Sequence, residues 1–132
     1  MKKILLCCVV LMWASNVLAE NSVCADGDGS MFKGIDGTNY CRSRIMMNWW
    51  SAFAWCDTIG GVLIDPNKDC KCKGIDGCDM LLSCPNLKEV PDTAWTSSVV
   101  TPKVAYFIHD GTLTYSYVDG KYGPKYALCR MP

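Results

Sequence analysis

The sequence lacks most of the residue patterns that mark common enzymes and metal proteins. It has one histidine, His109, two glutamates and no C-x2-C pair, although C-x-C and C-x5-C spacings occur. It also lacks G-x-G-x-x-G, a Walker loop, H-E-x-x-H and a nucleophile elbow. We therefore expect no enzyme, no catalytic residue, no metal site and no cofactor. A catalytic triad that includes His109 is the weaker alternative. Paired catalytic carboxylates also stay open, because the sequence does not show which side chains lie together in space.

The sequence also lacks a charge excess and a long apolar run. Thirteen basic residues balance thirteen acidic ones, so nothing points to nucleic acid as a partner. The run ILLCCVVLMW at 4–13 is too short to span a bilayer, follows two lysines and precedes VLA at 17–19. We interpret 1–19 as a signal peptide cleaved after Ala19, with an uncleaved anchor as the alternative. The prediction is a secreted or periplasmic domain over 20–132, with no integral membrane segment after cleavage.

Cysteine is the residue that is abundant. Ten are present, and eight remain once Cys7 and Cys8 leave with the signal peptide. An even number of cysteines in a small exported chain indicates a disulfide framework. Structural zinc is the rival explanation, but a single histidine and an oxidising compartment both disfavour it.

The stretch NWWSAFAWC at 48–56 predicts an amphipathic helix. Asn48 can cap it, and Gly60 with Gly61 can end it. The spacing i, i+3, i+4, i+7 places Trp49, Ala52, Phe53 and Cys56 on one face, which we expect to be buried. Trp50 lies off that face.

The rest of the chain alternates between loop-rich and strand-like segments. Residues 66–92 form a loop-rich insert with four cysteines. Strands are predicted at 94–100, at 104–118 with a hairpin turn at Asp110–Gly111, and at 125–129. The predicted class is α+β, with one or two helices packed on a small antiparallel sheet.

The pattern resembles the C-type lectin-like domain. In that family a W-x-x-A-x-x-x-C helix precedes a G-G-x-L turn, and an aromatic–x–x–Cys strand closes the domain. The matching residues here are Trp49, Ala52, Cys56, Gly60, Gly61, Leu63 and the closing YALC at 126–129. The resemblance covers about 90 residues. The helix is similar to that of short secreted bacterial members of the family.

The resemblance implies a disulfide pairing. It joins Cys56 to Cys129, which closes a loop of about 70 residues and would stabilise the fold by roughly 4–5 kcal/mol at best. It also joins Cys24 to Cys41. If those four cysteines are used in this way, the four in the insert pair locally. Cys70 and Cys72 flank one residue and are poorly placed to bond each other, so we expect Cys70–Cys84 and Cys72–Cys78. Without the resemblance, the sequence leaves all 105 connectivities of eight cysteines open.

The chain departs from the family's calcium-dependent sugar-binding pattern. The Glu-Pro-Asn or Gln-Pro-Asp tripeptide and the Trp-Asn-Asp motif are both missing, and DPN at 65–67 lies in the wrong place. Only Asp110 and Asp119 supply carboxylates after Asp92, whereas a calcium site needs six to eight oxygen ligands. We therefore expect no calcium in that position.

The function that we predict is calcium-independent recognition of, or adhesion to, an extracellular protein or glycan. Aromatic side chains crowd the C-terminal part of the chain and offer amphipathic contact area at low entropic cost. The alternative is a structural or accessory subunit of an envelope or extracellular assembly, with an apolar patch near Trp50 and Val99–Val100. The candidate surface residues are Tyr122, Tyr115, Tyr117, His109, Asp119, Lys121 and Trp50.

Overall fold

The computed structural model describes residues 24, 29–70, 72, 78, 79, 83, 84, 87 and 93–132 of the 132-residue chain. The predicted signal peptide at 1–19 and much of the insert at 66–92 lie outside the described residues. Within the described ranges, no helix is long and apolar enough to cross a membrane.

The described chain folds as an α+β domain with a helix on a mixed sheet, so the predicted class is confirmed. Strands β1 and β2 precede the helix, and the remaining strands follow it. The elements are β1 (Gly29–Lys33), β2 (Asn39–Met47), α1 (Trp49–Thr58), β3 (Val62–Leu63), β4 (Thr93–Thr101), β5 (Val104–His109), β6 (Thr112–Thr114), a 3-10 turn η1 (Gly120–Tyr122) and β7 (Lys125–Arg130).

The sheet has the order β1-β2-β7-β4-β5-β6, with β3 paired to β7. The expectation of an antiparallel sheet is wrong at one pair, because β4 and β7 run parallel where Ala94 lies opposite Tyr126. Strand β6 pairs antiparallel with β5, which pairs antiparallel with β4, so β6 and β7 point the same way. The segment 115–124 must therefore carry the chain back along the sheet before β7 begins. Local sequence patterns predict strands but not their directions.

Helix α1 begins and ends as predicted. The side chain of Asn48 accepts a hydrogen bond from the Ser51 N–H at 2.8 Å, and Gly60 follows the helix with φ +80°. Ala52 and Cys56 are fully buried. Phe53 is 47% exposed, so its predicted place in the core is wrong. Its ring instead packs on Trp49 at 5.4 Å between ring centres, as the i, i+4 spacing allows.

The hairpin turn at Asp110–Gly111 is confirmed, with φ of 45° and 79°. Positive φ at both central residues defines the type I′ turn that suits the twist of paired strands. The following strand is shorter than predicted, because β6 ends at Thr114 rather than continuing to 118. Beyond Thr114 the chain leaves the sheet edge to begin its return, and strand alternation no longer describes Tyr115 and Tyr117.

Hydrophobic side chains pack on both faces of the sheet. On one face, Ala52 and Cys56 of α1 pack with Trp95, Ala127 and other residues in one buried cluster. The other cluster contains sheet residues together with Cys70, Cys78, Cys84 and Leu87 from the insert. Neighbouring residues of β5 divide between the clusters, Phe107 in the first and Ile108 in the second, as strand alternation requires. We call these the helix face and the insert face.

The described residues contain four disulfides, and they are the four expected pairs. Cys56 of α1 is bonded to Cys129 of β7 across 73 positions. The others span shorter segments: Cys24–Cys41, Cys70–Cys84 and Cys72–Cys78. Four disulfides are typical of chains that fold outside the reducing cytosol.

An ion pair holds the beginning of the insert to the last strand. The Asp69 side chain is only 3% exposed and lies 3.0 Å from a guanidinium nitrogen of Arg130. The same carboxylate accepts the Asp65 N–H at 2.7 Å. Burial raises the pKa of Asp69 above its usual value, and the hydrogen bond and Arg130 only partly oppose this shift. The residue is therefore a structural link between the insert and β7.

Candidate binding surface

Four of the seven predicted surface residues lie in two separate groups. One group is a chain of ring contacts on the helix face, which we call the aromatic platform: Trp49, Trp50, Phe53 and Tyr122. The other is a series of tyrosines next to β5, which we call the tyrosine ladder: Tyr106, Tyr115 and Tyr117.

Two distant elements build the aromatic platform. Trp49 and Trp50 are the first residues of α1, and Tyr122 is the last residue of η1. The Trp49 indole N–H donates to the Thr96 carbonyl of β4 at 2.8 Å, which fixes the inner ring of the platform. The outer rings of Trp50 and Tyr122 pack at 4.9 Å between their centres.

The outer rings of the platform are accessible to solvent. Trp50 is 41% exposed and Tyr122 is 71% exposed. Exposed apolar side chains that form one contiguous group are typical of interaction sites. Packing between the rings reduces the rotational freedom that a partner would otherwise have to remove on binding.

Lys121 is the predicted surface residue that the structure places elsewhere. Its side chain is largely buried, with 5% exposure. Its ammonium nitrogen lies 3.9 Å from the centre of the Trp49 ring and 5.7 Å from that of Trp50. Burial lowers the pKa of Lys121 below the usual lysine value. The aliphatic stem and the cation–π contact explain why a lysine tolerates this position.

The backbone of η1 is held against the turn between β4 and β5. The Lys121 N–H donates to the Lys103 carbonyl at 2.8 Å. Gly120 has φ +52°, and a Cβ at this position would lie 2.5 Å from the same carbonyl oxygen. Only glycine fits this approach, and that close approach brings Lys121 and Tyr122 to α1.

The tyrosine ladder continues beyond the end of β6. Tyr106 of β5 contacts Tyr115 edge-to-face at 5.4 Å, and Tyr115 contacts Tyr117 in the same way at 5.3 Å. Tyr106 packs against the insert-face cluster, and exposure rises to 66% at Tyr117. Tyr115 and Tyr117 are therefore adjacent, as expected, but ring contacts rather than strand alternation bring them together.

His109 and Asp119 lie outside both groups. His109 is exposed, 3.4 Å from the Asp110 carboxylate, and its ring lies 6.5 Å from that of Phe107. Asp119 is exposed and precedes η1. In the described part of the chain, no three residues among the histidines, cysteines, aspartates and glutamates are grouped so as to hold a metal ion.

Sequence reasoning identified Trp50 and Tyr122 separately but not their contact. The two residues are 72 positions apart, and no local signal connects them. It also missed Phe53 as part of the surface, because the helical period assigned it to the core. No protein-family model, curated protein or solved structure matches this chain.

Proposed function

We propose that this protein is a calcium-independent recognition module that binds an extracellular protein or glycan through the aromatic platform. The observation that carries the proposal is the contact between Trp50 and Tyr122, two exposed rings fixed by different elements. Tryptophan and tyrosine contribute most of the binding energy at many protein interfaces, because they bury a large area with few rotatable bonds.

We further propose that the fold is C-type lectin-like. The support is the helix with Trp49, Ala52 and Cys56, the Gly60–Gly61 exit, and the bond from Cys56 to the final strand. The proposal that the chain is exported and not an enzyme is supported by its four disulfides and by the lack of catalytic motifs in the sequence.

The recognition proposal is tested with fluorescently labelled protein on a glycan array and on cultured cells by flow cytometry. Trp50→Ala and Tyr122→Ala should each reduce binding about tenfold or more, since each removes an exposed aromatic contact. Tyr117→Ala is the matched control, because it removes an equally exposed ring from the tyrosine ladder.

The proposal also predicts the response to a chelator. Binding should persist in EDTA, because the platform supplies ring faces rather than a cluster of oxygen ligands. Equal binding by the wild type and both platform variants would refute the platform as the site. Loss of binding only in Tyr117→Ala would move the site to the tyrosine ladder.

A second candidate function is that of a structural subunit in an extracellular assembly. Exposed apolar side chains on β2 and β4 favour it, namely Ile45 at 65%, Met46 at 45% and Val99 at 52%. Such side chains are typical of surfaces that are covered in an assembly. Light scattering across a concentration series separates the two functions, because a subunit of this kind should associate and Ile45→Ser with Val99→Ser should prevent it.

A further inference from the structure

The Lys121 side chain is only 5% exposed, and its ammonium group lacks an anionic partner within the described part of the chain. The ion pairs found there join Lys68 with Asp65, His109 with Asp110 and Arg130 with Asp69. Lys121 instead has its cation–π contacts with Trp49 and Trp50. A ring face stabilises a cation only partly, and a buried cation is normally paired with an anion.

A second buried lysine provides a comparison within the same domain. The Lys125 ammonium lies 4.0 Å from the centre of the Phe107 ring and 4.8 Å from that of Trp95. Burial lowers its pKa, but the charge of Asp119 opposes that effect. For Lys121, burial lowers the pKa and no neighbouring carboxylate opposes it. The domain thus supplies a counter-charge for one of the two lysines.

The surroundings of Lys121 favour an anion from outside the domain. Trp49 and Trp50 are the first two residues of α1, so the positive end of the helix lies beside the ammonium. The ammonium nitrogen of Lys121 makes no hydrogen bond in the described part of the chain. It still meets solvent, because no fully buried side-chain nitrogen or oxygen there lacks a hydrogen-bond partner.

We propose that Lys121 and the aromatic platform together bind a carboxylate that lies next to an apolar side chain in an acidic peptide segment of a partner protein. This inference rests on the proposed function, because it takes the aromatic platform as the recognition surface. The ammonium group pairs with the carboxylate. The exposed faces of Trp50 and Tyr122 take the adjoining apolar side chain.

A peptide fits the surface better than an acidic sugar does. The outer part of the platform consists of the ring faces of Trp50 and Phe53 and the phenol of Tyr122. These groups offer apolar area and few hydrogen-bonding atoms. A sugar acid carries several hydroxyl groups that need polar partners when they are buried, whereas an apolar side chain needs none.

The experiment compares two probes that differ only in charge. N-acetylphenylalanine carries a carboxylate beside an aromatic side chain, and N-acetylphenylalaninamide replaces that carboxylate by a neutral amide. Each is titrated into ¹⁵N-labelled wild-type protein, with the indole N–H resonances of the tryptophans as the readout. We expect the acid to shift the Trp49 and Trp50 resonances and to bind about tenfold more tightly than the amide.

Substitutions then assign the preference to one side chain. Lys121→Met keeps the length of the stem but removes the charge, and it should abolish the difference between acid and amide. Lys121→Arg should keep that difference. Lys125→Met is the matched control, because it removes the other buried ammonium, and it should leave the difference unchanged.

Three outcomes would overturn the inference. Equal affinity of the wild type for acid and amide would show that charge plays no role in binding. If Trp50→Ala then bound neither probe, the proposed function would still be supported. Binding of neither probe would remove the site. Tighter binding of glucuronate than of N-acetylphenylalanine would make an acidic glycan the ligand. If Lys121→Met does not fold, the comparison of acid with amide on the wild type decides.

Discussion

The two faces of the sheet are covered in different ways. On the helix face, a regular element packs on the sheet, and one disulfide that spans 73 positions joins α1 to β7. On the insert face, the described residues are held by two disulfides of short span and by the Asp69–Arg130 ion pair. A regular helix anchored in this way holds the inner ring of the aromatic platform, because the Trp49 indole N–H donates to the Thr96 carbonyl of the sheet. The helix face can therefore support a fixed binding surface.

The largest expected effect is loss of the long-range disulfide on the helix face. The double substitution Cys56→Ala with Cys129→Ala should lower the free energy of unfolding by about 4 kcal/mol, because it frees a long loop in the unfolded chain. The Cys72–Cys78 disulfide closes a much shorter loop. Its removal by Cys72→Ala with Cys78→Ala should cost about 2 kcal/mol. Urea unfolding of both double variants measures the comparison. Equal losses would show that loop entropy does not distinguish the two faces.

The next effect concerns the ion pair on the insert face. Asp69→Ala should cost about 1–3 kcal/mol, because it leaves the Asp65 N–H without its acceptor and Arg130 without its partner. Arg130 is 37% exposed, and solvent screening reduces the loss. Asp65→Ala is the matched control, because the Asp65 carboxylate also accepts a backbone N–H, that of Asn67, and also pairs with a cation, but at a more exposed site where a smaller loss is expected. The measurement is again urea unfolding at neutral pH.

Asp69 also predicts a pH dependence. Burial raises the pKa of its carboxyl in the folded state, so the folded protein binds this proton more tightly than the unfolded chain does. Its contribution to stability is therefore greatest below the usual aspartate pKa and declines as pH rises through the folded pKa. Stability curves of wild type and Asp69→Asn against pH should differ in slope across that acidic window. Parallel curves would contradict the shift.

A smaller effect is expected at the start of α1. Asn48→Ala removes the hydrogen bond to the Ser51 N–H and should cost about 1 kcal/mol. The same substitution at Asn67, an exposed residue in the Asp65 turn, should have less effect. Thermal unfolding by circular dichroism measures both. An Asn48→Ala protein as stable as the wild type would show that packing alone determines where the helix begins.

The smallest expected effect is a change of stability with pH in the alkaline range, caused by Lys125 on the helix face. Burial lowers the pKa of Lys125 in the folded state, and Asp119 only partly opposes this. The unfolded chain therefore binds more protons, and this contribution to stability rises with pH from the folded pKa up to the usual lysine value. Lys125→Met should remove that part of the slope in urea unfolding. A slope in Lys125→Met equal to that of the wild type would contradict the lowered pKa of Lys125.

Local patterns predicted much of the helix side. Asn48, the apolar spacing and Gly60 predicted α1 to within a residue or two, because caps and helical period act over short distances. The Asp110–Gly111 turn was predicted for the same reason. Phe53 shows where such a pattern fails, because the helical period identifies a face but not which part of it the sheet covers.

The binding surface was predictable only in part. Composition identified an aromatic C-terminal region, but Lys121 proved to be buried under Trp49, and Tyr115 and Tyr117 lie beyond the end of β6. These outcomes depend on the path of 115–124 between two strands that point the same way. That path follows from long-range pairing, which a local pattern does not encode.

Local sequence patterns were enough to predict the α+β class, the start and end of α1, the hairpin turn and the chemistry of an eight-cysteine framework. Each of these depends on residues close together in the chain. Three features emerged only in the folded domain: β7 lies between β2 and β4, Lys121 packs on Trp49, and Trp50 contacts Tyr122. Those features join residues far apart in sequence, and the free energy that selects them comes from packing the whole sheet.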